Sequence, residues 1–293
     1  VWIVKTKVEL AGCPLTVARP NAAFGTLTVT PEPSAETGLY APGTEVTVSI
    51  APNEGVRFLG WLGDVTEEDA GKTSLAFEIN EPMSLTPQLL ADFMVYEGGF
   101  LTDGTQNYKA SGAANAIQLD GVVTTLSNGV VDVTKPIVGG TLTKIKDMFC
   151  NWCDPTTKFT IREMYLPETI THFGYRAFDC STIIKTVEPL FPRDVTYVGF
   201  SIFAGATSLK GNVTIGYATD EQGRPKTVSF GKTDGNNRSF LNIGAIYSVR
   251  LGPGVRTAPQ GLIDSAGATT NIVIDGVAAM EGSVFKGLKF FFS

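Results

Sequence analysis

Histidine, cysteine and charged residues are scarce in this sequence. It has one histidine and four cysteines in 293 residues, and charged residues make up 18%. A single imidazole excludes sites that need several, such as a three-histidine zinc centre. Four cysteines are too few for a disulfide-dense scaffold of this length. The net charge of −6 and the isoelectric point near 5.0 argue against a general nucleic-acid binder, so no nucleic-acid partner is predicted.

Long apolar segments are also absent. No run of about 18 apolar residues occurs, so no membrane span is predicted. The sequence begins at Val1, and no basic segment followed by an apolar stretch is visible in it. We therefore expect a targeting signal to lie outside this chain. Because 43% of the residues are hydrophobic, the chain is apolar enough to bury a core.

Charge is distributed unevenly along the chain. Residues 1–96 carry 5 Lys and Arg and 12 Asp and Glu, a net charge of −7. Residues 97–293 carry 18 and 17 of them, a net charge of +1. This shift, together with a length above that of one typical domain, predicts two domains, 1–96 and 97–293.

Short alternating segments dominate residues 1–96. In Glu45–Ile50, for example, Val46, Val48 and Ile50 share one face. Period-two alternation that is broken by Gly, Pro and Asn is typical of antiparallel strands with one solvated face. Four strands are predicted: Thr26–Thr30, Glu45–Ile50, Val56–Trp61 and Ser74–Ile79.

Several motifs of this first domain occur in a characteristic order. They include a Tyr-x-Pro-Gly turn that begins at Tyr40 and a Phe-x-x-Trp strand that begins at Phe58. The set comprises Gly25–Val29, Tyr40–Val46, Gly55–Trp61, Gly63 with Asp64, and Ala91–Phe93. In this order they resemble the divergent InlB B-repeat, a small all-β module of bacterial surface proteins. The resemblance covers residues 22–95 and leaves 1–21 as a leading segment.

A repeated pattern runs through residues 97–293. In a typical copy, two residues separate a first apolar residue from a second, and four residues separate the second from a bulky anchor. Ile170, Phe173 and Phe178 are an example. A short apolar-x-apolar strand precedes most copies. The anchors are Phe149, Phe178, Phe203, Phe240, Ile263 and Phe285, at steps of 22–37 residues.

This spacing is typical of a leucine-rich solenoid whose longer steps carry loop insertions. One turn cannot bury its apolar residues alone, so stacked turns place the anchors in a continuous ladder. The stretches Tyr165–Cys180 and Phe191–Phe203 resemble the leucine-rich repeats of the BspA-like surface proteins of bacteria. The resemblance covers residues 105–293 and is weak in an insertion at 216–245. The expected fold is therefore mainly β, a small antiparallel all-β module followed by a leucine-rich repeat solenoid.

The two resemblances together imply a location. The same pairing of modules occurs in secreted proteins of gut and oral bacteria. An extracellular or cell-surface protein of a bacterium is therefore expected.

Cysteines surround the single histidine in the repeat pattern. Cys150 and Cys153 form a Cys-x-x-Cys, and stacking of turns brings Cys180 and His172 towards them. Three thiolates and one imidazole suit zinc, and a disulfide among these cysteines is an alternative. Inert, packed thiols and a surface histidine are the favoured interpretation, so neither a metal nor another cofactor is predicted.

The middle residue of each short strand is expected to point to solvent. These residues are Asp132, Tyr165, Thr214, Ser229, Arg250 and Val273. Stacking places them on one face, about 5 Å apart, which suits a large partner. The predicted ligand-binding residues are Tyr165, Thr214, Ser229 and Arg250.

The resulting expectation is a non-enzymatic, monomeric adhesion or ligand-recognition protein. Its partner is expected to be a protein or a glycan of a host or bacterial surface. One alternative is an accessory carbohydrate-binding protein of a glycan-degrading system, with aromatic rings that stack on sugars. Another is a hydrolase whose site is hidden in the segment 216–245, although no catalytic residues are predicted. The functional expectation rests on analogy at the level of the fold.

Overall fold

The computed structural model is almost entirely β-structure. It describes residues 12–122, 129–149, 161–179, 184–264 and 271–286. Apart from one short 3-10 helix, Ala114–Ala116, the regular elements of these residues are strands, which confirms the mainly β prediction. No helix in this described part is long and apolar enough to cross a bilayer.

The chain divides into two compact units. The first comprises the residues up to Phe93 together with Asp103–Thr105, and the second comprises the remaining residues. The predicted domain boundary after residue 96 falls inside a strand of the second unit, Met94–Glu97.

From residue 12 onward, where it is described, the first unit contains six strands in two three-stranded sheets. They are β1 (Leu15–Val17), β2 (Gly25–Thr30), β3 (Thr44–Pro52), β4 (Val56–Gly63), β5 (Ser74–Ile79) and β6 (Met83–Ala91). One sheet has the order β2-β3-β5 and is antiparallel. The other has the order β1-β6-β4, in which β1 and β6 run parallel. The four predicted strands are confirmed as β2 to β5, whereas β1 and β6 had no prediction.

Alternation along β3 explains how this unit buries its apolar residues. Val46, Val48 and Ile50 are buried, as their spacing predicts, while Glu45 and Thr47 between and beside them are exposed. Burial of each such side chain contributes roughly 1.5–3 kcal/mol. The core of the first unit is therefore built from one face of each strand.

The second unit contains nineteen strands among the described residues. They are β7 (Met94–Glu97), β8 (Phe100–Thr102), β9 (Asn107–Ser111), β10 (Ile117–Val122), β11 (Val130–Asp132), β12 (Ile137–Val138), β13 (Leu142–Ile145), β14 (Glu163–Tyr165), β15 (His172–Phe173), β16 (Thr186–Glu188), β17 (Tyr197–Val198), β18 (Lys210–Ile215), β19 (Ser229–Phe230), β20 (Ala245–Leu251), β21 (Thr257–Ala258), β22 (Ile263–Asp264), β23 (Asn271–Ile274), β24 (Ala279–Met280) and β25 (Phe285–Lys286).

These strands form separate sheets. A nine-stranded sheet has the order β12-β7-β8-β9-β10-β13-β15-β17-β19, and it is parallel from β10 to β19. Two parallel three-stranded sheets have the orders β11-β14-β16 and β18-β20-β23. Two parallel pairs, β21-β24 and β22-β25, complete the described strands. Stacked turns predicted that the short strands would form one continuous parallel sheet. The described strands form several separate sheets instead.

One apolar cluster runs through the second unit. The predicted anchors Phe178, Phe203 and Phe240 are fully buried in it. The rings of Phe178 and Phe203 stack at 5.2 Å between centroids, and those of Phe203 and Phe240 stack at 5.7 Å. Ile263 is buried in the same cluster, and Phe149 and Phe285 pack against it.

Main-chain contacts hold successive segments close together. The N–H of Phe178 donates to the carbonyl of Ile202 at 2.7 Å, and the N–H of Phe203 donates to that of Ser239 at 2.9 Å. A Cβ atom at Gly199 would lie 2.6 Å from the main-chain nitrogen of Tyr175. Only glycine permits so close an approach of two backbones.

Candidate functional site

Outward-facing residues of the sheet β11-β14-β16 form an acidic surface. The register of the three strands aligns Asp132, Tyr165 and Glu188. The hydroxyl of Tyr165 donates to a carboxylate oxygen of Glu163 at 3.0 Å. This hydrogen bond, followed by the negative charge of the same carboxylate, raises the pKa of Tyr165 above its ordinary value.

The sheet β18-β20-β23 carries the basic part of the surface. Its register aligns Thr214, Arg250 and Val273. The side chains of Thr214 and Arg250 are exposed, and the guanidinium carbon of Arg250 lies 5.6 Å from the ring centroid of Tyr217. This contact favours one orientation of the arginine through attraction between the cation and the ring. We call the outward residues of these two sheets the strand face.

A cleft of about 350 Å³ lies between β16 and β18. The two strands are neighbours in space, but each is the edge of a different sheet. The apolar lining comes from the buried residues Val187, Leu190 and Phe191. The polar lining comprises Thr186, Glu188, Lys210, Asn212 and Thr214. An apolar wall with a few polar groups is the usual composition of a ligand pocket.

Open main-chain groups of β16 border this cleft. The N–H of Thr186 donates to the carbonyl of Arg162, and the carbonyl of Glu188 accepts from the N–H of Leu166, so both residues face β14. Alternate residues of a strand present these groups to opposite edges. The N–H and C=O of Val187 therefore point towards the cleft.

The opposite edge has the same character. The carbonyl of Ile215 accepts from the N–H of Gly252 at 2.8 Å on the β20 side. By the same alternation, the main-chain groups of Thr214 face the cleft. The exposed side chains of Glu188 and Lys210 add opposite charges to its two walls. The cleft thus offers hydrogen-bonding edges as well as charges of both signs.

The structure corrects the predicted position of Ser229. Its strand, β19, pairs with β17 in the nine-stranded sheet, where Ser229 is in register with Tyr197. Ser229 therefore does not share a sheet with Tyr165, Thr214 or Arg250. The pattern Val228-x-Phe230 mimics the apolar-x-apolar strand, but long-range pairing assigns it to the other type of strand. Tyr165 also lies on a different sheet from Thr214 and Arg250.

The predicted cysteine set cannot be assembled from the described residues, because Cys150, Cys153 and Cys180 lie outside them. His172 is described, and its ring stacks on that of Tyr197 at 4.2 Å with an interplanar angle of 8°. Among the residues that the structure describes, no group of three or more His, Cys, Asp or Glu side chains is placed to hold a metal ion. Cys13, which belongs to the first unit, is buried as a free thiol.

Burial lowers the pKa of His172 below its ordinary value, and the positive charge of Lys144 adds to this effect while Asp147 opposes it. Unfolding therefore takes up a proton below about pH 6.5, and the stability contributed by neutral His172 is lost as the pH falls. We expect the thermal midpoint to decrease more between pH 7.5 and 5 in the wild type than in His172→Phe, which keeps a stacked ring. Equal pH profiles of the two proteins would show that His172 is not involved.

Of the polar residues that line the cleft, sequence reasoning identified Thr214 as a binding residue and missed the others. Glu188 lies in a three-residue strand with one apolar residue, Val187, which is too short to give a periodic signal. Lys210 and Asn212 precede the short apolar-x-apolar segment Val213–Ile215, and no sequence pattern marks them. The local signal for this strand was Val187 between the polar residues Thr186 and Glu188, directly before Pro189.

Comparison with known proteins gives one result for the first unit. No curated protein and no solved structure matches the chain. Residues 15–88 match the family described as the divergent InlB B-repeat domain, and this region coincides with strands β1 to β5 and most of β6. Such domains are typical of bacterial surface proteins. The resemblance inferred from the first-domain motifs is thus confirmed for residues 15–88.

Proposed function

We propose that this chain is a non-enzymatic recognition protein of a bacterial surface, which binds a protein or glycan partner through the strand face. The observation that carries the proposal is the cleft between β16 and β18, with open strand edges and opposite charges on its walls. The match of residues 15–88 supports the bacterial surface as the location, either cell-bound or secreted. A monomer suffices for this role.

The second unit is proposed to be a solenoid of BspA-like leucine-rich repeats with an interrupted strand ladder. Parallel pairing between strands in chain order supports this proposal. Register partners are 23 residues apart for Met164 with Val187 and 36 residues apart for Val213 with Val249. The stacked anchors in one apolar cluster are a second support, because repeats bury their apolar residues only against neighbours.

Polar residues of the segment 216–245 hold its backbone in place, which fits a non-enzymatic role. The carboxylate of Asp220 accepts from the main-chain and side-chain nitrogens of Arg224, and these bonds lower the pKa of Asp220. In the same segment, the buried Asn237 donates to the carbonyls of Gly199 and Gly231 at 3.1 and 2.7 Å. These groups organise the backbone, so the hydrolase alternative receives no support from them.

The strand face is tested by substitution of its aromatic and basic residues. We expect Tyr165→Ala with Arg250→Ala to weaken binding to immobilised fibronectin, laminin or fibrinogen by about tenfold or more, since central Tyr and Arg side chains dominate interfaces. Surface plasmon resonance on the full chain measures the change. The control, Phe100→Ala with Arg224→Ala, removes an exposed ring and an exposed arginine elsewhere. Wild-type affinity of the strand-face variant would reject this face.

A further inference from the structure

Two pairs of stacked aromatic rings lie side by side on the second unit. His172 stacks on Tyr197, and Tyr175 stacks on Phe200 at 5.2 Å with an interplanar angle of 12°. All four side chains are partly exposed. We call them the aromatic platform. His172 and Tyr197 lie in β15 and β17 of the nine-stranded sheet, and Tyr175 and Phe200 follow the ends of these strands, so the platform is not part of the strand face described above.

Glycines explain why the rings meet. Gly174 and Gly199 separate the two pairs along the chain, and a Cβ at Gly199 would lie 2.6 Å from carbonyl carbon of Gly174. Because the two backbones touch here, side chains on either side of the glycines are held at stacking distance. The platform is thus fixed by its backbone before any ligand arrives, which lowers the entropic cost of binding.

One ring face of the platform has no bulky neighbour in its own sheet. His172 covers one face of Tyr197, so the other face is directed at β19, where the register partner is Ser229. Ser229 is short and exposed. Gly231 lies two residues further on, and a Cβ there would lie 3.1 Å from the hydroxyl of Tyr197 and from the main-chain nitrogen of Phe200. Neither Ser229 nor Gly231 therefore places a bulky side chain against the free face of Tyr197.

Charged residues near the platform neutralise one another. Lys144 is the register partner of His172, and the carboxylate of Asp147 accepts from the N–H of Tyr175 at 3.0 Å, so the two residues bring opposite charges to the platform. Lys232, the residue after Gly231, pairs with Glu281. Next to Tyr175 in the chain, Arg176 lies 3.4 Å from Asp179. A ligand of high charge of either sign is not complemented by such a surface. Aromatic faces that are bordered by hydroxyl groups instead suit a neutral molecule with one C–H face and several hydroxyls.

A pyranose ring has this chemistry. Its axial hydrogens form an apolar face that packs on an aromatic ring, while its equatorial hydroxyls exchange hydrogen bonds with hydroxyl side chains. We propose that the aromatic platform is a binding site for neutral saccharides, which stack on Tyr197 and Phe200 and hydrogen-bond to the hydroxyls of Tyr197 and Ser229. This site is independent of the strand face and of the partner proposed for it.

The test is affinity gel electrophoresis of the full chain in gels that contain mannan, xylan, β-1,3-glucan or galactan. We expect at least one of these neutral polysaccharides to retard the wild type, and the dissociation constant to increase tenfold or more in Tyr197→Ala and in Phe200→Ala. Tyr197→Phe keeps the stacked ring, so it is expected to retain binding within about fivefold. This variant distinguishes loss of the binding site from loss of the fold. The thermal midpoint of each variant shows independently whether the fold is kept.

Matched controls distinguish this site from other exposed aromatic residues. Tyr247→Ala removes an exposed ring of β20, and Phe100→Ala removes an exposed ring of β8. Both are expected to bind polysaccharide as the wild type does. Binding should also persist at 0.5 M NaCl, because salt screens ionic contacts and leaves stacking unaffected. Absence of retardation by all four polysaccharides, unchanged binding in both platform alanine variants, or loss of binding in salt would overturn the proposal.

Discussion

Replacing Phe203 with alanine is expected to destabilise the second unit by about 3–5 kcal/mol, the usual cost of removing a buried phenylalanine. The ring of Phe203 is fully buried and lies among three others. It stacks on Phe178 and Phe240 and meets the edge of Phe191 at 5.9 Å. Its loss leaves a cavity in the middle of the cluster, which the neighbouring rings fill only in part.

Urea denaturation of the full chain, followed by far-ultraviolet circular dichroism, measures this change. The matched control is Phe100→Ala, because Phe100 is 42% exposed in the same unit. We expect the control to lose less than about 1 kcal/mol, as surface substitutions commonly do. A loss in Phe203→Ala no larger than that of the control would show that the anchors do not share one core.

Strands β2 to β5 of the first unit were predictable because each has a solvated face. Alternation in β3 places Val46, Val48 and Ile50 on one side, and this local signal needs no knowledge of the partner strand. The anchors of the second unit were predictable for a related reason. A bulky residue that recurs at a repeat spacing marks the place where neighbouring segments must pack, as Phe178 and Phe203 do.

Sheet membership was not predictable from the same signals. Val228-x-Phe230 and Val249-x-Leu251 look alike in sequence, yet β19 pairs with β17 whereas β20 pairs with β18. Pairing depends on the path of the chain between strands, and local periodicity carries no record of that path. The cleft arises from this arrangement, because it lies where one parallel sheet ends at β16 and another begins at β18.

The aromatic platform was partly predictable from the sequence. His172 was recognised as a surface residue, but its stack with Tyr197 depends on the parallel register of β15 and β17. The repeated sequence of an apolar residue, glycine and an aromatic residue, at Phe173–Tyr175 and again at Val198–Phe200, was the available signal. An exposed aromatic residue at one repeat position indicates a stacked pair only when the residue at the same position of the next turn is aromatic too.

Replacing Trp61 with alanine is expected to unfold the first unit or to destabilise it by about 3–5 kcal/mol. The Trp61 side chain is 3% exposed, and its indole N–H donates to the carbonyl of Lys72 at 2.8 Å. The ring of Phe58 meets it edge-on at 5.7 Å. A module of this size has a small core and a total free energy of unfolding of only about 5–15 kcal/mol. Loss of its largest buried side chain therefore removes much of that stability.

Amide hydrogen exchange with mass spectrometry localises this effect. We expect protection to fall in β2 to β6 and to stay unchanged in β13, β15 and β17 of the second unit. Trp61→Phe is the matched control, because it keeps an apolar ring and removes only the bond to Lys72, at a cost of about 1–3 kcal/mol for the carbonyl left unpaired. If protection falls equally in both units, the prediction of two domains fails, since the first unit then has no core of its own.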